Sequence, residues 1–223
     1  MADPATLSYP KKSHRKQVTL PQESAALAEF FGIMMGDGGI NNQWQANITL
    51  NSVKDAQYAI YVQDLIGKLF GVAPRVMQRK GRNALVISIA STTIVDFLVE
   101  RGLKRGDKLA QGLAIPEWIM TSPEWRKASV RGLVDTDGCL YIHKHFVEGK
   151  PYRNLGFTFC SYSSALIKQV AQIFEEFGII AHISNQGRSI YLYKASAVAA
   201  YLEIFGTSNE RILSVYREYG GVG

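Results

Sequence analysis

A chain of 223 residues with 47% apolar content is long enough for one large domain or two small ones with a packed core. Its two cysteines, Cys139 and Cys160, exclude a disulfide framework, and no apolar run reaches the length of a membrane span. With 25 Lys and Arg against 19 Asp and Glu the net charge is +6, which favours a polyanionic partner such as nucleic acid.

Residues 1–20 read as a basic arm, in which Lys11, Lys12, His14, Arg15 and Lys16 would add phosphate contacts. No apolar core of the secretory kind stands there, so an intracellular location is expected, with organelle matrix and prokaryotic cytoplasm both left open. Residues 24–36 read as a helix with Ser24 as N-cap, running through Phe30-Phe31-Gly32-Ile33-Met34-Met35-Gly36-Asp37-Gly38. A hairpin follows over 38–51. Along it Trp44, Ala46, Ile48 and Leu50 share one parity, expected to face helices. Gln45, Asn47 and Thr49 share the other, which Asn41 and Gln43 continue if the turn does not reset it. The next helix, 53–69, repeats Tyr58, Tyr61, Leu65 and Leu69 at threes and fours and stops at Gly71. A second hairpin over 75–90 turns at Lys80-Gly81-Arg82, and a short helix spans 92–101. Residues 102–122, broken by Pro116, form a connection.

The same order then returns. A helix over 123–136, with Ser122 as N-cap and Pro123 in its first turn, runs through Val130-Arg131-Gly132-Leu133-Val134-Asp135-Thr136-Asp137-Gly138. A longer hairpin covers 138–161, a helix 163–177 before Gly178, a second hairpin 181–194 around Gln186-Gly187-Arg188, and a helix 196–205. A last helix falls near 208–218. Phe70–Val76 is echoed by Phe177–Ile183 at an offset of 107, and Val86–Ser91 by Ile190–Ala195 at an offset of 104. Offsets that wander while the elements keep their order mark a duplication. The expected fold is α+β: two pseudo-twofold-related αββαββα halves, 21–105 and 123–223, joined by 106–122, their curved antiparallel sheets forming one saddle.

One Asp-Gly pair usually marks a turn. Two of them 100 positions apart, each closing a helix of the same design, point to carboxylates brought together by pseudo-symmetry, as a paired acidic metal site requires. Gly32 with Gly36, and Gly132 with Thr136, fall at spacing four on one helical face, where small side chains let two helices approach. Two carboxylates are too few to cage magnesium, so substrate phosphate oxygens would complete the site.

An αββαββα unit, duplicated, with Gly-x-x-x-x-Asp-Gly closing the first helix of each half, resembles the LAGLIDADG homing endonucleases in their single-chain, two-motif form. The resemblance covers roughly residues 24–218. It implies that the two motif helices meet at the interface between the halves. Asp37 and Asp137 would be the catalytic metal ligands, with the carbonyls of Gly36 and Thr136 as further ligands. Met35 stands where the family more often has an acid; the second motif keeps Asp135, for which a structural helix-end role is implied. Lys108 would act on the scissile phosphate or its attacking water, with Arg211 or Lys194 as second-half counterpart. Asn51 and Ser161 fall at the position that often orients water. The implied cofactor is Mg2+ or Mn2+, with Ca2+ as a non-cleaving substitute. The implied reaction is hydrolysis of one phosphodiester in each strand of a long specific DNA site by a monomer, leaving short 3′ overhangs.

Two-stranded ribbons fit the DNA major groove. The DNA-contacting set expected from the first half is Asn41, Gln43, Gln45, Asn47, Thr49, Arg75, Arg79, Lys80 and Arg82. From the second half it is Tyr141, His143, His145, Arg153, His182, Arg188, Tyr191 and Tyr193. His143-Lys144-His145 lacks a third ligand at a metal-site spacing, and neither a Walker loop nor a cysteine–histidine zinc spacing is present. An intron-RNA maturase and a DNA-binding regulator of the same fold are the alternatives; the two retained acids favour the nuclease.

Overall fold

The computed structural model describes residues 17–220, so the basic cluster from Lys11 to Lys16 lies outside the described residues. The first half runs α1 (Ala25–Met35), β1 (Gly38–Asn42), β2 (Gln45–Asn51), α2 (Ala56–Phe70), β3 (Arg75–Gln78), β4 (Ala84–Ala90) and α3 (Thr92–Glu100). A short α4 (Glu117–Met120) falls in the connection, where no helix was expected. The second half runs α5 (Pro123–Asp137), β5 (Gly138–Val147), β6 (Lys150–Cys160), α6 (Ser164–Glu176), β7 (His182–Ile183), β8 (Ser189–Leu192), α7 (Ala195–Ile204) and α8 (Glu210–Tyr219). Each half builds one four-stranded antiparallel sheet, ordered β1-β2-β4-β3 and β5-β6-β8-β7. The expected α+β duplication is the observed architecture.

The helix starts follow from local hydrogen bonding. Ser24, Ser91 and Ser163 accept from the backbone N–H three residues on, at 3.3, 3.3 and 3.2 Å. Ser122 departs from expectation: it occupies the N-cap position of α5 without a side-chain bond, and Pro123 alone presets that first turn. Gly71 closes α2 in the left-handed region at φ 66°, where a side chain would be strained.

Every residue from Leu27 to Met35 is buried, because α1 packs against α2 and β1 of its own half on one side and along α5 on the other. Around this pair lie two aromatic clusters, Phe30 with Phe70 and Phe97 in the first half, and Phe157, Phe174, Tyr201 and Phe205 in the second. The connection is bound at both ends. Gly106 N donates to the Ile40 carbonyl at 2.7 Å beside an Ile40–Arg105 bridge. Further on, Ile115 exchanges hydrogen bonds with the Gln169 carboxamide on α6.

Candidate active site at the paired helices

The close approach of α1 and α5 is set by backbone against backbone. A Cβ at Gly32 would overlap the Ser129 carbonyl oxygen and stand 3.0 Å from the Leu133 nitrogen. By the same geometry a Cβ at Gly132 would overlap the Glu29 carbonyl oxygen and stand 2.9 Å from the Ile33 nitrogen. One turn on, Thr136 occupies the space that a side chain at Gly36 would need, and Asp137 Oδ2 lies 3.1 Å from that Cβ position. The spacing-four small residues thus do what their pattern implied. They bring the C-terminal ends of both helices, with Asp37 and Asp137, to one place.

A helix C-terminus carries unsatisfied carbonyls and a partial negative charge, a poor setting for a carboxylate. The chain meets this with one basic side chain per helix. Lys108 Nζ donates to the carbonyls of Met35 (2.6 Å), Gly36 and Gly38 (2.8 Å) at the end of α1. Arg211 donates to the carbonyls of Asp135 (3.1 Å) and Gly138 (3.0 Å) at the end of α5. Positions 35 and 38 correspond to 135 and 138, so Arg211 is the geometric counterpart of Lys108; Lys194 instead occupies the N-cap position of α7. Both cations cap helix ends, and the Lys108 ammonium is held by carbonyls, Gly36 among them.

Burial, then the nearby charges of Asp137 and Asp55, pushes Asp37 up to about 7 against the pull of Lys108 and Arg211. Burial pushes Asp137 up to about 6, restrained by the same two cations. Burial lowers Lys108, while the two acids oppose the shift. In the window from the ordinary aspartate value of 3.8 to about 7 the folded protein holds protons that the unfolded chain has released, so stability falls as pH rises through it. The metal-free Asp37→Asn variant should therefore gain about 2 kcal/mol over wild type at pH 8 and little at pH 4. Paired thermal melts at the two pH values check this; an equal effect at both would contradict it.

Asp135 is buried, takes a hydrogen bond from Thr207 Oγ1 and another from Ser208 N at 2.8 Å, and is pushed up to about 7 by its burial, with those bonds opposing. It docks the loop before α8 onto α5, a structural role; the corresponding Met35 is buried in the core. Between the two motif helices Glu29 pairs with Arg131, and Tyr61 and Ser208 donate to the same carboxylate at 2.7 and 3.2 Å. None of this network was legible in the sequence. Neither was Asp55, whose Oδ1 accepts from Arg211 Nε at 3.0 Å and Asn209 Nδ2 at 2.9 Å.

Two expected site residues do other work. Asn51 Oδ1 accepts from the backbone of Val53 (3.0 Å) and Lys54 (2.9 Å), and Ser161 Oγ accepts from Ser163 N at 3.2 Å. These equivalent positions form the turns that start α2 and α6, because a short polar side chain after a strand bonds readily to the backbone two residues on.

Register assigns the sheet faces. In the first half Gln45, Asn47 and Thr49 lie opposite Ala90, Ser88 and Val86, and Arg75 lies opposite Ser88, so these share the face away from the helices. Ala46, Ile48 and Leu50 are buried on the other. Trp44 does not join them; it sits in the β1–β2 turn, 55% exposed, its N–H bonded to Asn42 Oδ1, because the turn resets the parity. Asn41, Gln43, Arg79, Lys80 and Arg82 are exposed in or beside the hairpin turns.

In the second half the open face carries Tyr141, His143 and His145 opposite Gly156, Asn154 and Tyr152. A further row joins Thr158, Tyr191 and His182. Its rings stand in files: His143–His145 centroids are 5.1 Å apart, Tyr191–Tyr193 5.5 Å, and His182–Tyr193 5.7 Å. Tyr141 lies over Gly156, where a Cβ would meet its ring. Arg188, exposed in the β7–β8 turn, lies 5.2 Å from the Tyr162 ring. Arg153 is a correction. It pairs with Lys144 on the parity of Ile142 and Leu155, and its guanidinium donates to the Glu218 carbonyl of α8 at 2.9 Å, on the helix side.

The donor set at the helix ends is all oxygen, which suits a hard divalent cation. Two desolvated carboxylates at helix C-termini would be relieved by such a charge, so the residues fit the ion. Among the described residues no group of three or more His, Cys, Asp or Glu could hold a metal, so further ligands would come from substrate.

This fold and site define a duplicated α+β protein with the architecture of the LAGLIDADG homing endonucleases. A WhiA LAGLIDADG-like domain model matches residues 27–109, and a LAGLIDADG-like domain model matches residues 124–215. The chain belongs to the LAGLIDADG family, in the form with two motifs on one polypeptide. Among solved structures it is similar to the homing endonuclease I-LtrWI bound to target DNA (10% identity, TM-score 0.59, 88% of this chain and 89% of that one). It is also similar to the meganuclease I-SmaMI bound to uncleavable DNA (11%, 0.54, 92% and 98%). I-DmoI mesophilic variants match likewise (15%, 0.53, 82% and 95%). No curated protein matches the chain.

Proposed function

We propose that this protein is a site-specific double-strand DNA endonuclease acting as a monomer. The observation that carries the reading is the convergence of Asp37 and Asp137 at the ends of two glycine-packed helices. Each end is capped by a basic side chain, beside two sheets whose open faces are polar or aromatic. Asp37 and Asp137 would hold Mg2+ or Mn2+, with Ca2+ as a non-cleaving substitute; the carbonyls of Gly36 and Thr136 are the further ligand candidates. When bound, the ion supplies activation of water and charge stabilisation for phosphodiester hydrolysis. Similarity to an I-DmoI complex with DNA and Mn (15% identity, TM-score 0.53) supports that choice of ion.

The chain's own residues do the rest. Lys108 and Arg211 fix the helix ends, so the carboxylates meet the backbone in a set geometry. Gln45, Asn47, Thr49 and Arg75 offer amide, hydroxyl and guanidinium groups to base edges and phosphates from one sheet. Tyr141, His143, His145, His182, Tyr191 and Tyr193 present phenol and imidazole edges from the other. The two sheets would form one saddle over the duplex, with a cut in each strand leaving short 3′ overhangs. An intron-RNA maturase would have no use for two desolvated carboxylates that lower stability at neutral pH.

The test is selection of duplexes from a randomised library by binding in calcium, followed by magnesium. Cleavage of both strands at one position supports the reading. Binding without cleavage in either magnesium or manganese overturns it.

A further inference from the structure

The two helix ends are capped alike but not held alike. Asp55 occupies the N-cap position of α2, yet its carboxylate makes no bond to that helix. An N-cap carboxylate normally satisfies one of the first helical N–H groups. Here it is turned instead across the boundary between the halves: Oδ1 accepts from Arg211 Nε and Asn209 Nδ2, and Oδ2 from Asn51 N at 3.3 Å. The Asp55 side chain is 12% exposed and that of Arg211 23%. With its other nitrogens on the carbonyls of Asp135 and Gly138, the planar guanidinium is pinned on all sides.

The counterpart of Asp55 is Ser163, the N-cap of α6. Its hydroxyl serves its own helix by accepting from Leu166 N and donates to the Leu113 carbonyl at 2.5 Å. Lys108, the counterpart of Arg211, forms no salt bridge among the described residues. One helix end therefore presents a cation held by carbonyls alone, and the other a cation neutralised by a carboxylate from the opposite half.

We infer that Asp55 is a positioning residue of this site: it clamps Arg211 over the end of α5 and makes the two hydrolytic centres unequal, so that one DNA strand is cut faster than the other. This rests on the nuclease reading above.

The test uses a duplex selected as above, its strands carrying different dyes. Wild type should cut them at unequal rates. Asp55→Ser should change the ratio of the two rates by at least about tenfold, the scale of losing one charge-assisted hydrogen bond, and Asp55→Glu should restore most of it. General destabilisation lowers the active fraction for both strands together and leaves the ratio alone, so an unchanged ratio overturns the inference. Metal-free melts of Asp55→Ser, Arg211→Gln and the double variant give a second readout. Non-additive losses support the clamp, and additive losses overturn it. If wild type binds the duplex and cuts neither strand, the nuclease reading and the strand inequality both fail, while the melting cycle still decides whether Asp55 holds Arg211.

Discussion

Asp37→Asn and Asp137→Asn are each expected to lower cleavage of duplex DNA at least about 10³-fold, equivalent to about 4 kcal/mol of transition-state stabilisation. Affinity for the duplex in calcium should change far less. The reason lies in what the carboxylates are for. Among the described residues they have no third His, Cys, Asp or Glu to share an ion with, so removing one charge removes half of what the protein offers it. The sheet faces, where base edges and phosphates would be met, are separate from the helix ends. Misfolding does not account for such a loss, because replacing a desolvated carboxylate by its neutral isostere should raise the melting temperature at pH 8. Rates measured in magnesium alongside calcium-binding titrations separate the two effects. Undiminished cutting by either variant would remove Asp37 or Asp137 from the site.

How much of this was legible in the sequence depends on the range of the interaction that fixes each feature. The motif helices were, since Gly32, Gly36, Gly132 and Thr136 encode a close approach by spacing alone, and Asp37 and Asp137 follow at fixed steps. Strand parity along Gln45–Leu50 was legible for the same reason. Parity failed at Trp44, where a turn intervenes. Arg153 follows the same parity, since positions 153 and 155 share a face and Leu155 is buried. Asn51 and Ser161 show a different limit: a polar residue ending a strand looks the same whether it turns the chain or faces a substrate. Glu29 with Arg131 and Asp55 with Arg211 were beyond reach, because each pair forms only when one half docks on the other. Arg211 was reachable as a candidate through the repeat, as a basic residue after the third helix of its half; what it touches was not.

Gly32→Ala and Gly132→Ala are expected to be among the most damaging single substitutions in the chain, each destabilising by about 3–5 kcal/mol. A methyl group is small, and in most helices this exchange helps. At Gly67 in α2, where a Cβ would meet nothing nearer than 4.0 Å, Gly67→Ala should stabilise by about 0.5–1 kcal/mol. At Gly32 and Gly132 the obstacle is a backbone carbonyl of the facing helix, which has no rotamer to change. The helices must separate, and separation takes apart the contacts that stack Gly36 on Thr136 and bring Asp37 to Asp137. Cleavage should therefore fall more steeply than stability: below the melting temperature a folded Gly32→Ala protein should still bind duplex in calcium yet cut it poorly in magnesium. Urea titrations of the three glycine variants, with cleavage rates at a temperature where each is folded, check both parts. A Gly32→Ala protein as stable and as active as wild type would mean that the two motif helices do not meet backbone to backbone, and the shared carboxylate site would lose its foundation.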